Sequence, residues 1–127
     1  MTLALTQFRF EIDQDGIALL TWDAPGRSMN IFIDKTIREL DHVIDHVVSN
    51  AAIKGCVITS GKADSFSGGA DIRMLDAMAE RARANETKLG QDEANRIFFE
   101  ESRALSLLFR KLETCGKPFA CAINGVA

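Results

Sequence analysis

The sequence predicts an α/β fold, a parallel sheet with flanking helices, in one domain of 127 residues. Three observations predict it. Residues 53–60 form a short apolar run, Ile53-Lys54-Gly55-Cys56-Val57-Ile58-Thr59-Ser60, of the kind buried inside a sheet. Between an earlier strand-like segment and that run lies a stretch with apolar residues at three- and four-residue steps. Strand, helix and buried strand in succession read as a βαβ crossover, which is right-handed and makes a parallel sheet.

In chain order, Phe8-Arg9-Phe10-Glu11-Ile12 alternates apolar and polar, as a half-buried strand does. Asp13-Gln14-Asp15-Gly16 is a hairpin turn, with glycine where a positive φ is needed. Residues 17–22, ending at Trp22, make the return strand. Pro25 and Gly26 break it, and Asn30 is expected to cap the next helix. That helix spans about 31–49. Ile33, Ile37, Leu40, Ile44 and Val47 mark its apolar face, and Asp34, Arg38, Asp41, His42 and Asp45 lie mainly opposite. His42 and His46 are four apart, but with no third ligand in view they read as solvent-exposed rather than metal-binding.

The strand at 53–60 follows, then a loop at its carboxyl end, where open α/β sheets place their ligands. A short helix is predicted over 72–79, starting near Asp71. Residues 80–91 are polar, with Gly90 interrupting them, and read as a mobile segment or a helix folded over the site. Residues 93–115 read as one long amphipathic helix with Ile97, Phe98, Leu105, Leu108, Phe109 and Leu112 as its stripe. Gly116 stops it and Pro118 prevents its resumption. Residues 119–123 make a last buried strand, ending at Asn124-Gly125.

The chemistry points to the loop Gly61-Lys62-Ala63-Asp64-Ser65-Phe66-Ser67-Gly68-Gly69-Ala70-Asp71-Ile72. Gly68 and Gly69 have no Cβ, so a ligand can approach the backbone. Free N–H groups where a helix begins favour developing negative charge. The segment can therefore serve as half of an oxyanion hole, or be only a tight turn with Asp71 as N-cap. Other motifs fail. Gly61-Lys62 ends no P-loop, because Cys56 stands where its first glycine belongs and Ala63 where Ser or Thr should be. No Gly-x-Gly-x-x-Gly is present. Ser67 lies in no nucleophile elbow and has no downstream histidine, so Ser65 and Ser67 are loop residues.

Ser65-Phe66-Ser67-Gly68-Gly69-Ala70-Asp71-Ile72 resembles the Phe-x-x-Gly-Ala-Asp-Ile/Leu signature of the crotonase (enoyl-CoA hydratase/isomerase) superfamily. Lys117-Pro118-Phe119-Ala120-Cys121-Ala122-Ile123-Asn124-Gly125 resembles that family's Lys-Pro-x-x-Ala-x-Ile-Asn-Gly, in the right order. Pro25-Gly26-Arg27-Ser28-Met29-Asn30 looks more like the hydratase domains of multifunctional fatty-acid oxidation α subunits than like single-domain hydratases. The resemblance covers nearly the whole chain. It implies the N-terminal part of a crotonase-type spiral of ββα repeats, with residues 1–127 a partial domain whose C-terminal part is absent.

It also implies an enoyl-CoA hydratase of fatty-acid β-oxidation, adding water syn to a 2-enoyl-CoA. Gly68 would offer the oxyanion-hole N–H. Arg27 and Ser28 would meet the CoA adenine and phosphates, and Gly69, Ala70 and Asp71 would complete the first CoA and thioester loop. The acid/base glutamates would lie beyond Ala127, since Glu93, Glu100, Glu101 and Glu113 match no catalytic position, so the chain alone is expected to be inactive. The rival readings are a Δ3,Δ2-enoyl-CoA isomerase of the same fold and a non-catalytic fragment or interaction module. No metal or cofactor is implied for this domain; NAD would enter only if a dehydrogenase domain follows in the parent.

The totals agree with these expectations. A hydrophobic share of 46% suffices for a core, and a net charge of −3 with interspersed signs argues against nucleic acid. Cys56, Cys115 and Cys121 are an odd number in or beside apolar runs, read as buried free thiols of a reducing compartment. No apolar stretch approaches membrane-span length, and no signal pattern opens the chain, so a cytoplasmic protein is expected. The partners expected are an acyl-CoA substrate and either further copies of the chain or a multienzyme complex.

Overall fold

The structure is a computed structural model that describes residues 4–127. A four-stranded sheet in the order β1-β2-β3-β4 carries the molecule: β1 is Phe8–Ile12, β2 Ile17–Trp22, β3 Gly55–Ser60 and β4 Phe119–Ala122. The first pair is the predicted antiparallel hairpin. The next two pairs are parallel, with Leu20 opposite Ile58 and Ile58 opposite Cys121. The sheet is therefore mixed, with a parallel core and an antiparallel first strand. Gly16 takes φ +82° at the hairpin turn, where the Asp13 carboxylate accepts the N–H groups of Asp15 and Ile17 at 2.9 and 2.8 Å. No larger residue fits there. A Cβ on Gly16 would meet the Ala52 carbonyl at 2.5 Å, because the turn packs on the connection into β3.

Helix α1, Asp34–Ser49, makes the crossover between β2 and β3. Leu40, Val43, Ile44 and Val47 point from it onto Leu20, Trp22, Ile53 and Ile58, and these residues form the core. Each such side chain taken out of water contributes roughly 1.5–3 kcal/mol. The helix begins later than predicted, and Asn30 does not cap it. Ile33 holds the cap position without a side-chain bond, while Asn30 is fully buried below. Glu39, on the inner face, is also buried. Its carboxylate accepts the N–H of Gln7 at 2.8 Å and both N–H and hydroxyl of Thr6 at 3.0 and 2.8 Å, tying the start of β1 to the helix. At the other end of α1, the Lys117 ammonium donates to the carbonyls of Val47, Asn50 and Ile53, each at 2.7 Å. A cation there answers the unpaired carbonyls and negative dipole of a helix end.

The segment after Asp71 is more helical than expected. Helix α2 runs Ile72–Leu89, so the polar stretch 80–89 continues the helix. Gly90, at φ +85°, turns the chain into α3, Gln91–Ser102, which packs back along α2. The predicted long helix is two, α3 and α4, Ala104–Thr114, meeting at Arg103. Arg103 N–H still reaches the Phe99 carbonyl at 3.2 Å and Leu107 N–H the Arg103 carbonyl at 2.9 Å, so the ladder bends more than it breaks. Of the predicted stripe only Leu108 is buried, whereas Phe98 and Phe109 are exposed. Helix α4 packs on α1 through Lys111, whose ammonium lies 2.6 Å from Asp41 and 2.8 Å from Asp45.

Three smaller expectations are corrected. Cys56 is buried, but Cys115 is half-buried and Cys121 exposed: Cys121 shares the face of Ile58, but β4 is the edge strand. His42 is exposed as expected, whereas His46 is half-buried and sits edge-on to Phe10, with ring centroids 5.4 Å apart. β4 ends at Ala122, one residue short of the predicted strand, and Ile123 is exposed. Among the described residues no helix is long and apolar enough to cross a membrane.

Candidate functional site

The site lies at the carboxyl ends of the parallel strands, where three loops converge. The first leaves β2 and runs through Arg27 and Ser28. The second leaves β3 and contains Gly68 to Asp71. The third leaves β4 at Asn124-Gly125-Val126. Parallel strands bring these loops to one edge because every strand ends there.

The second and third loops, the two motifs singled out in the sequence, are in direct contact. The Asn124 side chain straddles the last residue of β3, donating to the Ser60 carbonyl at 2.9 Å and accepting its N–H at 3.3 Å. Val126 then pairs with the second loop: its N–H donates to the Asp64 carbonyl at 3.0 Å, and its carbonyl accepts from Phe66 at 2.7 Å. Gly125 has to be glycine, since a Cβ there would lie 2.5 Å from the Asp64 and Ser65 backbone. The role of the Asn124 side chain was not read from the sequence, although the Ile123-Asn124-Gly125 motif carried the signal.

The first and second loops also meet. Phe32 and Ala70 form an isolated parallel bridge, with Phe32 N–H donating to the Gly69 carbonyl at 2.8 Å and Asp71 N–H to the Phe32 carbonyl at 3.0 Å. Gly68 is exposed, yet its N–H donates to the Asn30 carbonyl at 2.7 Å. A side chain at Gly68 would push aside the exposed Met29 side chain of the first loop. Gly69 takes φ +80°, a conformation that favours glycine. Its N–H is held only by the Ser67 hydroxyl at 3.2 Å, at the surface.

Asp71 is the N-cap of α2, accepting the N–H of Arg73 at 3.0 Å. The Arg73 guanidinium lies 3.2 Å from its carboxylate and that of Arg27 3.7 Å. The bond from the Arg73 side chain, with the Arg73 N–H and the nearby positive charges, holds Asp71 below the usual carboxylate range. Arg27 thus stands half-buried between its own loop and Asp71. Ser28 is exposed beside it. Lys62 is tied back to the first loop, 2.8 Å from Asp23 and 2.7 Å from the Ala24 carbonyl. The Lys62 bond, and after it the Arg9 bond, hold Asp23 below its usual value.

Two apolar cavities open beside the second loop. One, of about 420 Å³, is walled by Trp22, Phe32, Phe66 and Phe109 and reaches Ser67 and Gly69. The other, of about 250 Å³, lies under the α2–α3 pair between Met74, Met78, Phe98 and Leu105 and reaches Ala70. The glutamates of α3 and α4 are engaged elsewhere: Glu93 with Arg96, Glu100 with Arg103, Glu101 with Arg81 and Glu113 with Arg110. Among the described residues no cluster of three His, Cys, Asp or Glu is arranged to hold a metal.

Comparison with known proteins follows the same lines. No family model matches the chain. The chain is 38% identical over 111 residues to the fatty acid oxidation complex subunit alpha of Shewanella amazonensis, a match covering 87% of this chain and 14% of that protein. The chain therefore spans about one seventh of the length of such relatives. Among solved structures, an enoyl-CoA hydratase from Bacillus anthracis superposes with a TM-score of 0.72 at 17% identity, over 96% of this chain and 41% of that one. A Legionella pneumophila protein assigned as an enoyl-CoA hydratase/isomerase (crotonase) gives 0.71 at 24% identity, over 96% and 41%. The chain has the crotonase fold, and over most of its length its sequence is similar to fatty acid oxidation complex α subunits.

Proposed function

We propose that this chain forms the thioester-holding part of an enoyl-CoA hydratase of fatty-acid β-oxidation. The observation that carries the reading is the junction of the two motif loops, Asp64 to Ser67 against Asn124 to Val126, on a crotonase fold. An acyl-CoA would lie with its phosphates toward Arg27 and Ser28. Its acyl group would enter one of the apolar cavities beside the second loop. Arg27 suits the phosphates because a guanidinium offers several donors in one plane.

The thioester oxygen would take the N–H groups of the second loop. Gly68 is the proposed oxyanion donor, and its hydrogen is now on the Asn30 carbonyl. A thioester oxygen must share or displace that bond, with Gly69 N–H the more loosely held neighbour. Stabilising the enolate-like oxygen in this way is typically worth about 3–4 kcal/mol of barrier per donor. Water addition also needs an acid and a base, and the glutamates of α3 and α4 are held by arginines, Glu101 beside the smaller cavity by Arg81. The chain alone would bind a thioester without hydrating it. In the parent protein the acid/base residues, any NAD-dependent step and assembly into a multienzyme complex would come from elsewhere.

Calorimetric titration with acetoacetyl-CoA tests the proposal. Wild type should bind, Arg27→Ala should bind about tenfold more weakly, and Gly68→Pro, which removes the N–H, should bind least. Absence of binding by the folded wild-type chain at millimolar ligand would overturn it.

A further inference from the structure

Asn30 is fully buried in a place where the sequence suggests only a helix cap. It sits where the first and second loops and the ends of β2 and β3 can be reached by one side chain. Its Oδ1 accepts the N–H of Ala24 at 3.0 Å, closing the first loop into a ring. Its Nδ2 donates to the Trp22 carbonyl at 2.9 Å, at the end of β2. The same nitrogen donates to Ser60 Oγ at 2.9 Å, at the end of β3, and to the Phe66 carbonyl at 3.2 Å, in the second loop. Finally, the Asn30 carbonyl accepts the Gly68 N–H at 2.7 Å. Beside the Phe32 bridge to Gly69 and Asp71, this one residue ties the Arg27–Ser28 segment to the Gly68–Gly69 segment from within.

We infer that Asn30 is a positioning residue of this site, holding the first loop and the Gly68 amide at a fixed separation. Only an amide side chain of this length meets the requirement. It offers an acceptor on one arm and two donor hydrogens on the other, in one plane. Aspartate keeps the shape but turns the donor arm into an acceptor facing the Trp22 and Phe66 carbonyls and the Ser60 hydroxyl. Serine is too short to span the gap. A ligand gripped by both loops depends on their separation, whereas a ligand gripped by one loop does not. The Asn30 side chain is fully buried and acts through the loops.

The test compares the wild-type chain with Asn30→Asp and with Ser60→Ala, which removes one partner of the Asn30 amide and leaves Asn30 in place. The first readout is hydrogen exchange of the Gly68 amide by NMR. It should accelerate at least tenfold in Asn30→Asp and by about two- to fivefold in Ser60→Ala, with exchange in β1 and α1 unchanged. The second is titration with acetoacetyl-CoA and with free CoA, and it rests on the thioester reading above. Acetoacetyl-CoA should bind about tenfold more weakly to Asn30→Asp and free CoA within about twofold of wild type. Variants that melt earlier but keep Gly68 exchange at the wild-type rate would reduce Asn30 to a merely structural residue and overturn the inference. Failure of the wild type to bind acetoacetyl-CoA would sink the thioester reading while the Gly68 exchange still decides the role of Asn30. Should Asn30→Asp fail to fold, Ser60→Ala alone carries the test, and an unchanged Gly68 amide there counts against the inference.

Discussion

Replacing Lys117 by methionine should lower the stability of the whole α1–β3 corner. The Lys117 ammonium spends its three hydrogens on the carbonyls of Val47, Asn50 and Ile53, each at 2.7 Å. Val47 lies in the last turn of α1, and Asn50 and Ile53 in the connection to β3. Methionine keeps the aliphatic stem and removes the charge, leaving three carbonyls without their donor. A bond to a charged group contributes about 1.5–3 kcal/mol when removed singly. The three here share one partly exposed ammonium, and water replaces some of what is lost, so the sum is about 2–4 kcal/mol rather than three times the single value. For a chain of this length each kcal/mol moves the melting temperature by roughly 3–5 °C, so Lys117→Met should melt about 10 °C lower. Lys117→Arg is the control. A planar guanidinium cannot aim three hydrogens at carbonyls converging on one point, so it should recover less than half of the loss. Thermal unfolding followed by far-ultraviolet circular dichroism measures both. A Lys117→Met chain melting within about 2 °C of wild type would refute the assignment of the ammonium as the clasp of this corner.

Gly125→Ala should force the third loop off the second, because its Cβ would press on Asp64 and Ser65 backbone that cannot rotate away. A loss of about 2–3 kcal/mol in urea titration is expected, and an unchanged midpoint would contradict the contact between the two motifs. Asp71 has a depressed pKa in the folded chain, so its charge stabilises the start of α2 at any pH above the ordinary Asp value and that contribution fades as pH falls through the depressed value. The stability difference between wild type and Asp71→Asn should be constant from about pH 5 to 7 and shrink below about pH 4. A difference undiminished at lower pH would mean that the Arg73 and Arg27 contacts do not act through charge. Burial, with the neighbouring Cys121, pushes the Cys56 thiol up to about 12. Cys121 should therefore react with a disulfide reagent in the folded protein at mildly alkaline pH while Cys56 reacts only on unfolding. Equal rates at both would contradict the packing of β3.

Much of this architecture was legible because its signals are local and periodic. The hairpin turn ends in a glycine, α1 repeats its apolar residues at helical steps, and β3 is centred on the apolar run Cys56-Val57-Ile58. What was not legible depends on contacts far along the chain. Asn30 ahead of a helix looks the same whether it caps that helix or reaches Ser60 and Phe66, thirty or more residues away. Glu39 reads as one more polar helix residue until the Thr6 and Gln7 amides arrive to occupy it. The bend at Arg103 has no proline or glycine to announce it, so the apolar period runs through. Gly90 was visible as an interruption, but the sequence does not state that it joins two helices of equal standing rather than a helix and a mobile segment. The site divides in the same way. Its loop was found from the paired glycines, whereas the state of the Gly68 amide follows from the Asn30 carbonyl and so from the fold.

We propose that the Gly68–Asp71 loop and the Arg27–Ser28 loop together hold an acyl-CoA thioester. The most direct measurement is an NMR titration of the ¹⁵N-labelled chain with acetoacetyl-CoA, following the amides of Gly68 and Gly69 and the side chain of Arg27. Saturable shifts are expected at all three, with Gly68 moving as its hydrogen bond passes from the Asn30 carbonyl to the ligand oxygen. Shifts confined to other surfaces, or none at saturating ligand with the sheet intact, would contradict it.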